Sequence, residues 1–227
     1  AFGGIDAVTH ALEAYVSVMA NEYSDPQALQ ALQLLKDYLP SAYHNGAQDP
    51  TAREKVHNAA TIAGIAFANA FLGACHSMAH KLGAEFHLAH GLANALLISN
   101  VIRYNATDNP TKQTAFSQYD RPKARRRYAE IADHLGLGGA RTGEKVEALI
   151  AWVDGLKKDL GIPASIREAG VSEEDFLARV DKLAEEAFDD QCTGTNPRFP
   201  LISELRQILL DTYYGRPYVE AYERQEA

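Results

Sequence analysis

Four of the eight histidines fall in one stretch, Cys75 to Asn100, at His76, His80, His87 and His90. Imidazole is the commonest protein metal ligand, and its charge changes near neutral pH. His76 and His80 are four apart, so on a helix both rings leave one face, a turn from each other. Gly83-Ala84-Glu85-Phe86 can end that helix and let the chain turn back. Gly91 and Asn94 then open a second apolar run, Ala93 to Ile98. Two helices meeting at such a turn bring His76 and His90 together, with His80 pointing into the space beside them. Asp6 and His10 form another pair at this spacing and offer one oxygen and one nitrogen from a single helix. Glu13 completes an HxxE but stands to one side, either as a support for a ligand or without a role.

A lone histidine on an apolar face is ordinarily a hydrogen-bonded core or surface residue, and a lone Asp6 would serve the dipole at a helix start. Four histidines so close together are a different case. Buried imidazoles repel one another's protons and each needs a partner, which a metal ion supplies to all of them. One carboxylate with imidazoles suits Fe2+, Zn2+, Co2+ or Ni2+, and ligand type alone does not choose among them. The ExxH at Glu54–His57 occurs once, so the paired set of a di-iron bundle is missing. HExxH, GxSxG and P-loop patterns are absent.

These residues need helices to carry them. Apolar positions at Ile5, Val8, Leu12, Tyr15, Val16 and Met19 predict a helix over Ile5 to Met19. Ser24-Asp25-Pro26 predicts a start capped by Ser24, with the helix running to about Leu39, ended by Pro40 and followed by a His44-Asn45-Gly46 loop. Asp49-Pro50-Thr51 starts a third helix, rich in small residues that allow close packing, which runs towards Phe71 before a break at Gly73. A polar loop is expected from Asn105 to Tyr119, and helices over Arg121 to Leu135, Thr142 to Leu160, and from a Ser172 cap to Phe188. Turn chemistry follows over Asp190 to Arg198, then a helix from Pro200 to Tyr214 and a short tail from Val219 to Gln225. No segment alternates with period two. The expectation is an all-α fold of about eight to ten helices in one domain, residues 1–227, with the metal ligands on the first helix and on the Cys75–Asn100 stretch.

The chain has 227 residues, 46% apolar and 23% charged, the composition of an ordinary soluble globular protein. A net charge of −8 argues against general nucleic-acid binding. The one basic cluster, Lys123 to Arg127, is followed by Glu130 and Asp133 and reads as a solvated helix face. Two cysteines, Cys75 and Cys192, make no disulfide framework and are expected to be free in a reducing, cytoplasmic compartment. The uncharged run from Asn58 to Cys75 carries Asn58, Thr61, Asn69 and many small residues, so it reads as a core helix and not as a membrane span. Ala1-Phe2-Gly3-Gly4 runs into a helical pattern with no initiator Met, and the chain is expected to be the later part of a longer protein.

GGIDAVTHALEAYVS and AFANAFLGACHSMAHKLGAEFHLAHGLANALLISNVIRYN together resemble the iron-dependent (group III) alcohol dehydrogenase family. QCTGTNPRFPLISELRQILLDTYYG is similar to the alcohol dehydrogenase half of bifunctional aldehyde-alcohol dehydrogenases. The resemblance covers essentially the whole chain, with DxxxH, HxxxH and the following His at the family's spacing. It implies the C-terminal, helical half of a dehydroquinate synthase-like fold. It implies a metal on Asp6, His10, His76 and His90, Fe2+ first and Zn2+ as the other candidate. It places His80 beside the nicotinamide and the reacting carbon, as the catalytic proton relay and a cofactor contact. Phe67 and Cys192 fall on its substrate pocket with Asp190 nearby, and Phe71 would join their apolar wall. His87 receives no role.

The family's NAD sits mostly on an upstream nucleotide-binding α/β domain, and no glycine-rich dinucleotide turn occurs in these residues. The function implied is interconversion of a short-chain aldehyde (acetaldehyde) and its primary alcohol (ethanol), the metal polarising the substrate oxygen. A homo-oligomer is expected, extending to a filament in a bifunctional protein, with no nucleic-acid or membrane partner. The rival readings are a non-catalytic, metal-stabilised helical scaffold or assembly module, and a zinc-dependent glycerol dehydrogenase-like enzyme.

Overall fold

Residues 1–112, 119 and 122–224 are described by the computed structural model. Helix α1 (Phe2–Val16) runs through the middle of the molecule and touches α2 (Asp25–Asn45), α3 (Pro50–Ala70), α5 (His90–Asn105) and α6 (Ala124–His134). From Gly4 to Val16 every residue is buried except Asp6 and His10. Its apolar residues, Ile5, Val8, Leu12 and Val16 among them, are each worth about 1.5–3 kcal/mol when fully buried, so α1 is held in place by its whole circumference. The two polar residues at its opening are the ones left with access to solvent.

Helices α2 and α3 pack against each other and on α1. Buried Ala59, Ala63, Ala66 and Ala70 give α3 the smooth face that this approach requires. Asp49 caps α3 by accepting a hydrogen bond from the Ala52 amide at 2.9 Å. Two expectations for α2 need correction. Ser24 precedes the helix, but its hydroxyl turns back to the backbone of Asn21 and makes no cap. Pro40 lies inside the helix, which continues to Asn45. The missing N–H costs one intrahelical bond, and tertiary contacts carry the last turn past it. Ser41 donates to Asp49 at 2.8 Å, and His44 meets Asp159 at 3.1 Å.

The chain bends by 110° between α3 and α4 (Ala74–Phe86). His87, at φ 54°, ends α4 in the left-handed conformation and returns the chain into α5. Helix α5 is buried along almost its entire length. Helix α6 pairs with α7 (Thr142–Asp159), and α8 (Glu173–Phe188) pairs with α9 (Ile202–Tyr213), α8 resting on α4 and α9 on α5. Ser172 caps α8 through the Asp175 amide, as its sequence predicts. A short α10 (Ala221–Arg224) follows. One apolar core extends from α1 to α9, and no strand occurs among the described residues. No single helix among them is long and apolar enough to cross a membrane. The polar loop expected from Asn105 begins one residue later, and its residues 113–118, like Arg121 and Gln225, lie outside the described residues.

Two arginines do more than the sequence indicates. Arg127, assigned to a solvated face, donates to the Tyr15 carbonyl and pairs with Asp25, both at 2.6 Å, and so ties α6 to α1 and α2. Arg198, in the loop before α9, is buried and pairs with Glu204 at 2.6 Å and Glu220 at 2.5 Å. Both cysteines are free and buried.

Candidate metal centre

Asp6, His10, His76 and His90 converge: one ligand atom from each lies within 4.8 Å of all the others. Helix α1 supplies the first two from successive turns, α4 supplies His76 from its first turn, and α5 opens on His90. Asp6 lies at the centre of the group. Its carboxylate is 3.9 Å from His10 Nε2, 3.7 Å from His76 Nε2 and 3.5 Å from His90 Nε2. The His10 and His76 rings stack at 4.6 Å. Side-chain exposure rises from 1% at His76 through 18% at Asp6 and His10 to 45% at His90. The cluster therefore has a buried floor and one open side from which a small molecule can approach.

Close backbone packing makes this convergence. A Cβ on Gly91 would fall 2.2 Å from the Phe2 carbonyl oxygen, so the first turn of α5 rests directly on the first turn of α1. That contact brings His90 beside Asp6. One turn further along α5, the Asn94 amide donates to Asp6 at 2.8 Å and lies 3.1 Å from both His76 Nε2 and His90 Nε2. From the sequence Asn94 is only part of a helix opening; its spacing of four from His90 was the available signal.

Charge is distributed unevenly over the cluster. Burial opposes the His76 cation, but the Asp6 and Glu13 carboxylates outweigh it and push the ring up to about 9. Burial and the neighbouring His76 push His10 down to about 4. Burial opposes the Asp6 carboxylate, yet the surrounding histidines and Asn94 hold it below its ordinary range. The site thus favours one carboxylate and one positive charge, with lone pairs on the remaining rings. One carboxylate oxygen and three imidazole nitrogens around a partly buried point fit a divalent transition ion.

Glu13 lies on the far side of His76 and receives its Nδ1 at 2.6 Å. Its carboxylate is thus joined to one member of the candidate metal set. His80 stands outside the four. It falls in a second group with Asp190 and Cys192, whose ligand atoms also lie within 4.8 Å. The ammonium of Lys81 sits 2.9 Å from Asp190 and already supplies that group's positive charge. His80 Nδ1 meets Asp190 Oδ2 at 3.2 Å, and the Cys192 amide donates to Asp190 Oδ1 at 3.0 Å. Burial and the Asp190 charge push the Cys192 thiol up to about 12, so it stays neutral. Phe67 stacks on His10 at 4.5 Å, and Phe71 is 52% exposed after the end of α3. His87 is consumed by the turn between α4 and α5.

Residues 1–213 match the family described as the Fe-containing alcohol dehydrogenase family, C-terminal. The bifunctional aldehyde-alcohol dehydrogenase of Escherichia coli K12 is 78% identical over 97% of this chain, which spans 25% of that protein. The aldehyde-alcohol dehydrogenase of Clostridium acetobutylicum is 52% identical over 96% of the chain, again against 25% of the relative. Among solved structures, the iron-containing alcohol dehydrogenase of Thermococcus thioreducens superposes with a TM-score of 0.78 at 36% identity, over 94% of this chain and 50% of that one. The chain thus spans about a quarter of these two aldehyde-alcohol dehydrogenases and half of the solved enzyme.

Proposed function

Because the chain belongs to the Fe-containing alcohol dehydrogenase family as its C-terminal, helical part, we propose that it is the metal-carrying half of an NAD-dependent alcohol dehydrogenase. The reaction is the interconversion of a short-chain aldehyde and its primary alcohol, acetaldehyde and ethanol foremost. The observation that carries this reading is the convergence of Asp6, His10, His76 and His90 within 4.8 Å. These four would hold ferrous iron, with zinc as the alternative ion. When bound, the ion supplies Lewis-acid polarisation of the substrate oxygen.

The remaining work falls to this chain's own side chains. His80 is oriented by Asp190 through Nδ1, which leaves its second ring nitrogen to exchange a proton with the substrate oxygen. Phe67, braced on His10, and the neutral Cys192 thiol offer an apolar wall for a short carbon chain. NAD would lie across the open side, held mostly by a nucleotide-binding segment outside these residues. The protein would work in the cytoplasm as a homo-oligomer, extending to a filament if it is bifunctional.

The test is metal analysis of the 227-residue chain purified without oxygen. One metal per wild-type chain is expected. His76→Ala should lose most of it, and His80→Ala should keep it. Full occupancy in His76→Ala would overturn the ligand assignment.

A further inference from the structure

The first turn of α4 has no cap of its own. Gly73 precedes it and offers no side chain. The Ala74 amide donates instead to Asn196 at 3.1 Å, and the Cys75 amide to Glu13 Oε1 at 2.7 Å. Glu13 Oε2 accepts from the His76 amide at 3.3 Å and meets His76 Nδ1 at 2.6 Å. Both borrowed caps reach α4 only because residue 73 is glycine. A Cβ there would stand 2.7 Å from Asn196 Oδ1 and 2.9 Å from Glu13 Oε1. The Glu13 carboxylate is 2% exposed and comes from α1, the helix that carries Asp6 and His10.

We propose that Glu13 is a positioning residue for the metal: it fixes the position of His76 and keeps a proton on Nδ1, so that Nε2 is the nitrogen that gives up its proton and presents a lone pair when the metal binds. The proposal rests on the metal centre described above. A carboxylate only accepts hydrogen bonds, so His76 Nδ1 must carry the proton of their contact. Nε2, the nitrogen that faces Asp6, is then the one free to bind a metal. The same two oxygens hold the backbone from which His76 springs. Helix α1 therefore supplies two ligands and aligns a third.

Glu13→Gln keeps the shape and removes this logic. With its NH2 towards Nδ1, His76 must accept there and carry its proton on Nε2, where the lone pair is needed. With its oxygen towards Nδ1, the NH2 confronts the Cys75 N–H, and two buried donors face each other. A purely structural Glu13 would let the near-isosteric glutamine bind metal almost normally.

The experiment is zinc titration of the wild-type and Glu13→Gln chains against a competing chelator, with circular dichroism to follow the fold. Affinity about 10–100-fold weaker is expected in the variant. Affinity within twofold of wild type in a folded variant overturns the role of Glu13 and leaves the metal centre standing. A wild-type chain that takes up no zinc overturns the centre and this inference with it. The tautomer can also be read without any substitution, by 15N NMR of the His76 ring in the zinc-loaded wild-type chain. A protonated Nδ1 with zinc on Nε2 is expected, and zinc on Nδ1 would overturn the proposal even if the glutamine variant failed to fold.

Discussion

One guanidinium, that of Arg198, holds two buried carboxylates together. It reaches Glu204 and Glu220 with its two terminal nitrogens, donates to the Tyr104 carbonyl at 2.8 Å and lies over the Tyr104 ring at 3.9 Å. Removing it strands both acids in a place with little water. Arg198→Met should therefore destabilise the chain by about 3–5 kcal/mol, the usual result of breaking a buried ion pair from one side. Urea unfolding monitored by circular dichroism measures it, and a loss below about 1 kcal/mol would show that water reaches the acids. The sequence places Arg198 in a turn and says nothing of this role, because its partners lie beyond the turn in α9 and near the end of the chain. The histidines differ in the same way. His10 and His76 are the same residue type a few ångströms apart, yet one is pushed down to about 4 and the other up to about 9. His76 meets Glu13 at Nδ1 and Asp6 at Nε2, whereas at His10 burial and the neighbouring His76 outweigh the pull of the same two carboxylates.

Between elements, the decisive contact is that of α5 with α1 at Gly91. Any side chain there meets the Phe2 backbone, which cannot rotate away as a flexible side chain would. Gly91→Ala should push the start of α5 off α1, separate His90 from Asp6, and lower both zinc affinity and stability, the latter by about 1–3 kcal/mol. Gly64→Ala is the comparison. A Cβ there meets nothing within 4 Å, and the site lies inside α3, so stability should rise by about 0.4–1 kcal/mol. Thermal melts and zinc titrations of the two variants settle the point, and equal behaviour would remove the argument from close approach. Helix starts were legible where the signal is local. Asp49 and Ser172 cap the amides of residues three further on, so a short window contains the whole interaction. The outcome at Pro40 depends on other parts of the chain, because contacts with Asp49 and Asp159 carry α2 past it, whereas at Ser24 an equally local competitor, the backbone of Asn21, takes the hydroxyl that would have capped the helix.

For the whole molecule, the open side of the candidate metal site sets the expectation. Hydride transfer needs the nicotinamide held about 3–3.5 Å from the substrate carbon. The sequence carries no glycine-rich dinucleotide-binding motif to hold its phosphates. The chain by itself should bind NADH too weakly to detect by fluorescence and should not turn over ethanol or acetaldehyde. The same residues joined to an upstream nucleotide-binding segment should do both. Comparable turnover by the two would place the cofactor site within these helices.

The amino-acid sequence by itself determined what repeats or acts over a turn or two of helix. The i,i+4 pairs Asp6–His10 and His76–His80, the all-helical periodicity and most helix limits belong here, because a helix brings residues four apart onto one face whatever surrounds it. Tertiary structure alone decided how the pairs combine. Of His76 and His80, equally spaced candidates on one helix, His76 faces Asp6 while His80 is drawn to Asp190, a partner 110 residues away. Glu13 meets His76 across 63 residues, and α5 approaches α1 only where glycine replaces a side chain. Such contacts depend on where whole helices pack, and no local spacing in the chain encodes that.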